Sequence, residues 1–200
     1  MPSPRASAQP PGLAGSVKGS VLLSRMAFVT SAQGTAALTR IVRRLSEEDA
    51  RVLTGMLMPF AWYPFATNAR LDQSIAIEFD IGDRIFTLLG EASARDNLNT
   101  GSQLQYIRDK NPHALLKHTS AIYKVYYDSG HRTYQRVDEG RAILQTHDSA
   151  SFSLADCLTV VGWHQKAIEM CGGRSVRVVE TQCRARGGGI CEYICEWEPG

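Results

Sequence analysis

No stretch of this 200-residue sequence is apolar for long enough to cross a bilayer. Its opening, MPSPRASAQPPGLAGS, holds no apolar core of the kind a secretory signal requires. The two absences together lead to the expectation of a cytoplasmic protein with no membrane span. Charge of one sign is scarce too, since 22 Lys and Arg stand against 20 Asp and Glu, a net +2. A dedicated nucleic-acid surface needs a marked basic excess, and the small group Arg40, Arg43 and Arg44 reads as a solvated helix face. Missing as well are GxSxG, a phosphate-binding glycine loop and a dinucleotide fingerprint, so nothing points to an enzyme. Cysteines number five, and an odd count without a secretory signal suits free thiols or metal ligands better than a disulfide framework.

The rest has the texture of a globular protein, 44% hydrophobic and 21% charged. The Pro, Ser, Ala and Gly content of residues 1–16 reads as a disordered tail, which leaves 17–200 as a single domain. Residues 17–29 form a strand or a short buried segment, and helical spacing begins at Gln33. Ser46 caps a second helix. Pro59 and Pro64 bracket the aromatic connector Phe60-Ala61-Trp62-Tyr63, and two further helices follow. Asn111-Pro112 starts one long helix running to about Asp128. Alternation over 131–137 and 141–146 around Asp138-Glu139-Gly140 predicts a β-hairpin. Ser153 caps a helix to Cys171, stopped by Gly172-Gly173, and a second hairpin closes the chain. The fold class is therefore α+β, N-terminal helices followed by an antiparallel sheet of two hairpins with an intervening helix.

The chemistry concentrates near the C-terminus. Glu180, Cys183 and Cys191 form an E-x2-C-x7-C pattern around a glycine-rich turn, and Cys157 lies upstream on the intervening helix. Thiolates with one carboxylate suit a tetrahedral zinc ion. The same cysteines can equally serve as small buried hydrophobes, with Glu180 on the surface. Parity adds a condition to the metal reading. Glu180 and Cys183 fall on opposite faces of a regular strand, so a bulge or strand end near Thr181-Gln182 must re-aim one of them.

These residues resemble the 4-vinyl reductase domain family, bacterial ligand-binding and sensory domains. The resemblance rests on Cys157-Leu-Thr-Val-Val-Gly162-Trp163, on Gly173 through Glu180-Thr-Gln-Cys183 to Gly187, and on Cys191 with the closing strand. It covers about the last quarter of the chain. In aromatic-sensing members a Cys, a Glu and two further Cys hold zinc, which implies Cys157, Glu180, Cys183 and Cys191 as ligands here. Four protein ligands leave no place for water, so the implied zinc is structural. Cys171 and Cys195 have no counterpart in the motif and read as packing residues.

The same resemblance implies a small apolar or aromatic ligand. Leu115, His118, Ile122 and Val125 mark one stripe of the long helix, and Trp163 offers a wall from the next, with His164 on a different side. A lone histidine on an apolar stripe is commonly a satisfied core residue, yet aromatic-sensing relatives place one there against a phenolic hydroxyl. Relatives tend to dimerise, which implies a homodimer through the N-terminal helices, and many act on a signalling protein. Two other readings stay open: a dimeric scaffold like the trafficking-complex subunits of related fold, and an accessory to tetrapyrrole chemistry. The related heme-based nitric oxide sensors grip heme with a Tyr-Ser-Arg signature that Tyr127-Asp128-Ser129-Gly130 does not reproduce.

Overall fold

The apolar spacing of residues 21–41 folds into α1 (Gly19–Arg43), two helical pieces joined across a kink, in the computed structural model, which describes residues 12–99 and 104–199. The two segments expected around residue 30 are thus both helical and meet at the kink. Its hinge is Gly34, whose φ of 81° and ψ of 173° are non-helical and lie where a side chain would be strained. Ser46 caps α2 (Glu47–Thr54) by accepting a hydrogen bond from the Asp49 amide. Strand β1 (Ser16–Lys18) pairs antiparallel with β2 (Trp62–Pro64). That pairing corrects part of the expected tail. Leu13 bridges Ser151 and the Gly15 carbonyl accepts from the Phe65 amide at 2.8 Å, so the backbone of 12–16 is tied down. The remainder of that tail, 1–11, lies outside the described residues.

Helices α3 (Phe65–Phe79) and α4 (Arg84–Leu98) follow, then the short α5 (Leu104–Arg108), α6 (Pro112–Lys117) and α7 (Thr119–Tyr126). The single long helix expected from Pro112 is broken at His118, which ends α6 and begins α7 with φ −89° and ψ −2°. The break rotates α7 relative to α6, so one stripe no longer runs through both.

The second half is an antiparallel sheet of β3 (His131–Arg136), β4 (Arg141–His147), β5 (Arg174–Gln182) and β6 (Cys191–Glu198), in the order β3-β4-β6-β5. Helix α8 (Leu154–Met170), capped by Ser153 as its sequence suggests, lies between this sheet and α4. Its approach to α4 depends on two glycines. A Cβ on Gly90 would stand 2.0 Å from the Thr159 carbonyl oxygen, and one on Gly162 would stand 2.1 Å from that of Thr87. One apolar core, with Leu116, Leu144, Ile168 and Trp197, fills the space between α8 and the sheet. Another, with Leu22, Ile41, Leu71 and Leu89, holds the helices together. Each such side chain contributes about 1.5–3 kcal/mol when fully buried. Among the described residues no helix is long and apolar enough to cross a membrane.

Candidate functional site

Two features meet on α8: a cluster of ligating side chains at its N-terminal end, and a cavity one to two turns further on.

The cluster comprises Cys157 of α8, Glu180 of β5, Cys183 just past the end of β5, and Cys191 at the start of β6. One ligating atom from each lies within 4.8 Å of all the others. The parity obstacle is removed by an irregularity: the β5–β6 register shifts between Glu180 and Gln182. Cys183 then opens a short 3-10 turn (Arg184–Arg186), closed by Gly187 at φ 89°. The Gly188 amide donates to the Cys183 carbonyl at 2.8 Å, fixing the loop that returns the chain to Cys191.

Within the cluster the hydrogen-bonded pair splits, Cys157 pushed up by its bond to Cys191 and by burial while Cys191 goes down, and burial pushes Cys183 up. The Sγ atoms of Cys157 and Cys191 are 3.7 Å apart, and the Arg184 amide donates to Cys191 Sγ at 3.4 Å. These two donors bring the Cys191 thiol down to about 7, with burial opposing them. Burial pushes Cys195 and Cys171, the two cysteines outside the motif, up to about 12, with the Arg132 charge opposing it at Cys195. Both oxygens of Glu180 are buried and neither has a well-formed hydrogen bond among the described residues. The donor beside it is the Cys183 thiol, which burial and this carboxylate push up. A buried carboxylate so weakly satisfied is costly, and a cation between it and three thiols is what such a donor set can hold.

The cavity lies between the helices and the sheet, walled by α1, α4, α7, β3 and α8. About 70 Å³ is open to a ligand within an envelope of about 620 Å³ that runs out to solvent. One side is apolar, with Val21, Ile122, Val160 and Trp163, while Arg25, Tyr123, Tyr127, Arg132 and His164 supply polar groups. Arg25 is neutralised by Asp72, Nε to Oδ1 3.2 Å, with both groups buried. Tyr127 donates its hydroxyl to Asp156 at 2.8 Å, and burial pushes the Asp156 carboxyl up to about 6. His164 has no exposure; burial first, then the Arg132 charge, hold its pKa well below the usual imidazole range. The neutral ring donates from Nδ1 to the Val160 carbonyl at 2.8 Å, which leaves a lone pair on Nε2.

Of the pocket residues expected from sequence, Ile122 and Trp163 line this cavity. Leu115 is packed in the core with Ala167 and Cys171, and Val125 is 52% exposed. His118 is exposed, with Nδ1 bonded to the Ala114 carbonyl at 2.9 Å and its ring 4.9 Å from that of Tyr106. The break at His118 separates Leu115 of α6 from the α7 residues, and within α7 Ile122 faces the cavity while Val125 faces solvent. His164, expected on a different side from Trp163, lines the cavity beside it. Arg25, Tyr123, Tyr127 and Arg132 were not anticipated from sequence. Arg132 is the one buried position of β3, a strand too polar for its alternation to mark it.

No family model matches the sequence, and no curated protein matches it. Solved structures do. The Fe(II) unliganded H-NOX protein from K. algicida superposes with a TM-score of 0.70 at 14% identity, over 92% of this chain and 97% of that one. An H-NOX protein from S. oneidensis in the Fe(II)NO ligation state gives 0.69 at 14%, over 90% and 99%. A third, solved in work on heme distortion in the H-NOX family, gives 0.69 at 9%, over 92% and 96%. The chain therefore has an H-NOX-like fold. Structural zinc as its cofactor is corrected by these neighbours, which are described with Fe(II) or heme and none with zinc.

Whether heme itself suits this chain is a matter of room and of donors. His164 offers a lone pair at Nε2, but Arg132 Nη1 already faces it at 3.4 Å. The open 70 Å³ is about half of the roughly 150 Å³ that accommodates a single benzene ring. His118 points away from the cavity. In this conformation the residues do not fit a porphyrin.

Proposed function

We propose that this chain is a small-molecule-sensing domain that acts by binding rather than by catalysis. The observation that carries this reading is the cavity at the junction of helices and sheet, apolar on one side and polar on the other, as a selective small-ligand site must be. The H-NOX-like fold and the 4-vinyl-reductase-like motif both support it. Cys157, Val160 and His164 sit within two turns of α8, so a ligand that displaces this helix also loads the cluster. Cys157, Glu180, Cys183 and Cys191 bring α8 and the β5–β6 hairpin together as a donor set able to take a cation, with no structural zinc assigned to it.

Signal output is assigned to the surface around the connector, where Met56, Met58, Phe60 and Trp62 are exposed at 88%, 53%, 86% and 43%. Isolated apolar residues on a surface are unremarkable, whereas a contiguous group of this size suits an interface. A homodimer through this face, or a separate signalling protein docked on it, is the reading we adopt.

Native mass spectrometry of the purified protein checks these points together. A sensing domain yields a dimer carrying one small molecule per chain. An empty, stable dimer would instead favour a scaffold. A tetrapyrrole ligand is the second reading, favoured by the heme of the solved neighbours. It requires the cavity to open, and it predicts a sharp visible band when hemin is titrated into the protein. A spectrum identical to that of free hemin removes it.

A further inference from the structure

Arg132 is a buried cation that no carboxylate among the described residues pairs with directly, its acidic influence being the through-space one of Asp156. It is 8% exposed, and among the described residues no carboxylate lies within ion-pair distance of it. Its guanidinium is positioned by neutral groups. Nε donates to Thr146 Oγ1 at 3.0 Å and Nη1 faces the lone pair of His164 Nε2 at 3.4 Å. The plane stands 5.0 Å from the Tyr123 ring centroid and 5.8 Å from that of Tyr193. The nearby acids are committed elsewhere, Asp72 to Arg25 and Asp156 to the Tyr127 hydroxyl. Arginine is almost never buried this deeply without an anion, and this one borders an open cavity.

We propose that Arg132 is the anchor for the carboxylate of a short monocarboxylic acid bound in this cavity. The inference rests on the reading of the cavity as the ligand site and adds the class of ligand. A guanidinium offers a planar fork that matches two carboxylate oxygens. With Thr146 and His164 fixing one flank, the remaining N–H groups are oriented before the ligand arrives. Opposite them, Val21, Ile122 and Trp163 provide an apolar wall for an alkyl tail. The size limit is strict. An open space of 70 Å³, against roughly 150 Å³ for benzene, restricts the acid to a few carbons, with propionate as the natural probe. Arg25, the other arginine of the lining, is excluded as the anchor because Asp72 already neutralises it.

The test compares propionate with propionamide, which has nearly the same shape and no charge, by calorimetry on the intact protein. Propionate is expected to bind more tightly by about tenfold or more, the scale of one charge-assisted hydrogen bond. Arg132→Gln should remove that preference, while Arg132→Lys should keep a weakened one. The comparison of the two ligands on the unaltered protein does not depend on either variant folding. Propionamide binding as tightly as propionate would overturn the carboxylate assignment while leaving the cavity as a ligand site. Propionate affinity unchanged in a folded Arg132→Gln protein, or no propionate binding at all, would overturn it too.

Discussion

In a protein purified with a cation at the cluster, replacing Glu180 with glutamine is expected to release that cation and to lower the melting temperature by roughly 10 °C, following a loss of about 3–5 kcal/mol. The sign of the effect is informative. Both Glu180 oxygens are buried without a well-formed hydrogen bond, so in a metal-free protein the charge is a burden and its removal would stabilise the fold. With a cation shared among Glu180, Cys157, Cys183 and Cys191, the carboxylate is one of the bonds joining α8 to the β5–β6 hairpin, and its removal destabilises. Cys183→Ser should act in the same direction. Elemental analysis alongside thermal melting separates the cases. A glutamine variant that melts higher than the parent, with the parent free of metal, would rule out the metal site.

A second large effect is expected at Arg25→Met. This side chain and Asp72 form an ion pair, exposed by 3% and 0%, between α1 and α3, and Asn68 Nδ2 supports Asp72 at 3.2 Å. Removing one partner leaves a charge buried and uncompensated, at a cost of about 3–5 kcal/mol. The double variant Arg25→Met/Asp72→Asn keeps an acceptor for Asn68 and abolishes the stray charge, so it should recover most of the loss. Urea unfolding of both variants measures this. If the double variant is as unstable as the single one, the cost lies in packing and not in the charge.

The parts of the fold legible in the sequence were those with local signals. The two hairpins and α8 follow from alternation, turn residues and the Ser153 cap, and all three are in the structure. The parity of Glu180 and Cys183 demanded a strand irregularity near Thr181-Gln182, and the register shift is found there. The break at His118 was not legible, because no proline or glycine marks it and the apolar residues on either side fit one helix. With it went the placing of Leu115 and His118, while Val125 lies on the solvent side of α7 itself. Nor could local pattern reveal the lining of the cavity. Arg25, Arg132 and His164 come from α1, β3 and α8, and only the tertiary packing brings them together. An arginine inside an otherwise polar strand such as His131–Arg136 reads as surface until the sheet acquires its covering helix.

Calorimetry of the intact protein with short carboxylic acids tests the central claim most directly, that a small ligand binds between α7 and α8. The account predicts saturable binding of one ligand per chain. Trp163→Ala should weaken it by about tenfold through lost contact area. His118→Ala should leave it unchanged, because that imidazole faces outward. Binding that survives Trp163→Ala intact, or that disappears with His118→Ala, would contradict the account and place the ligand elsewhere.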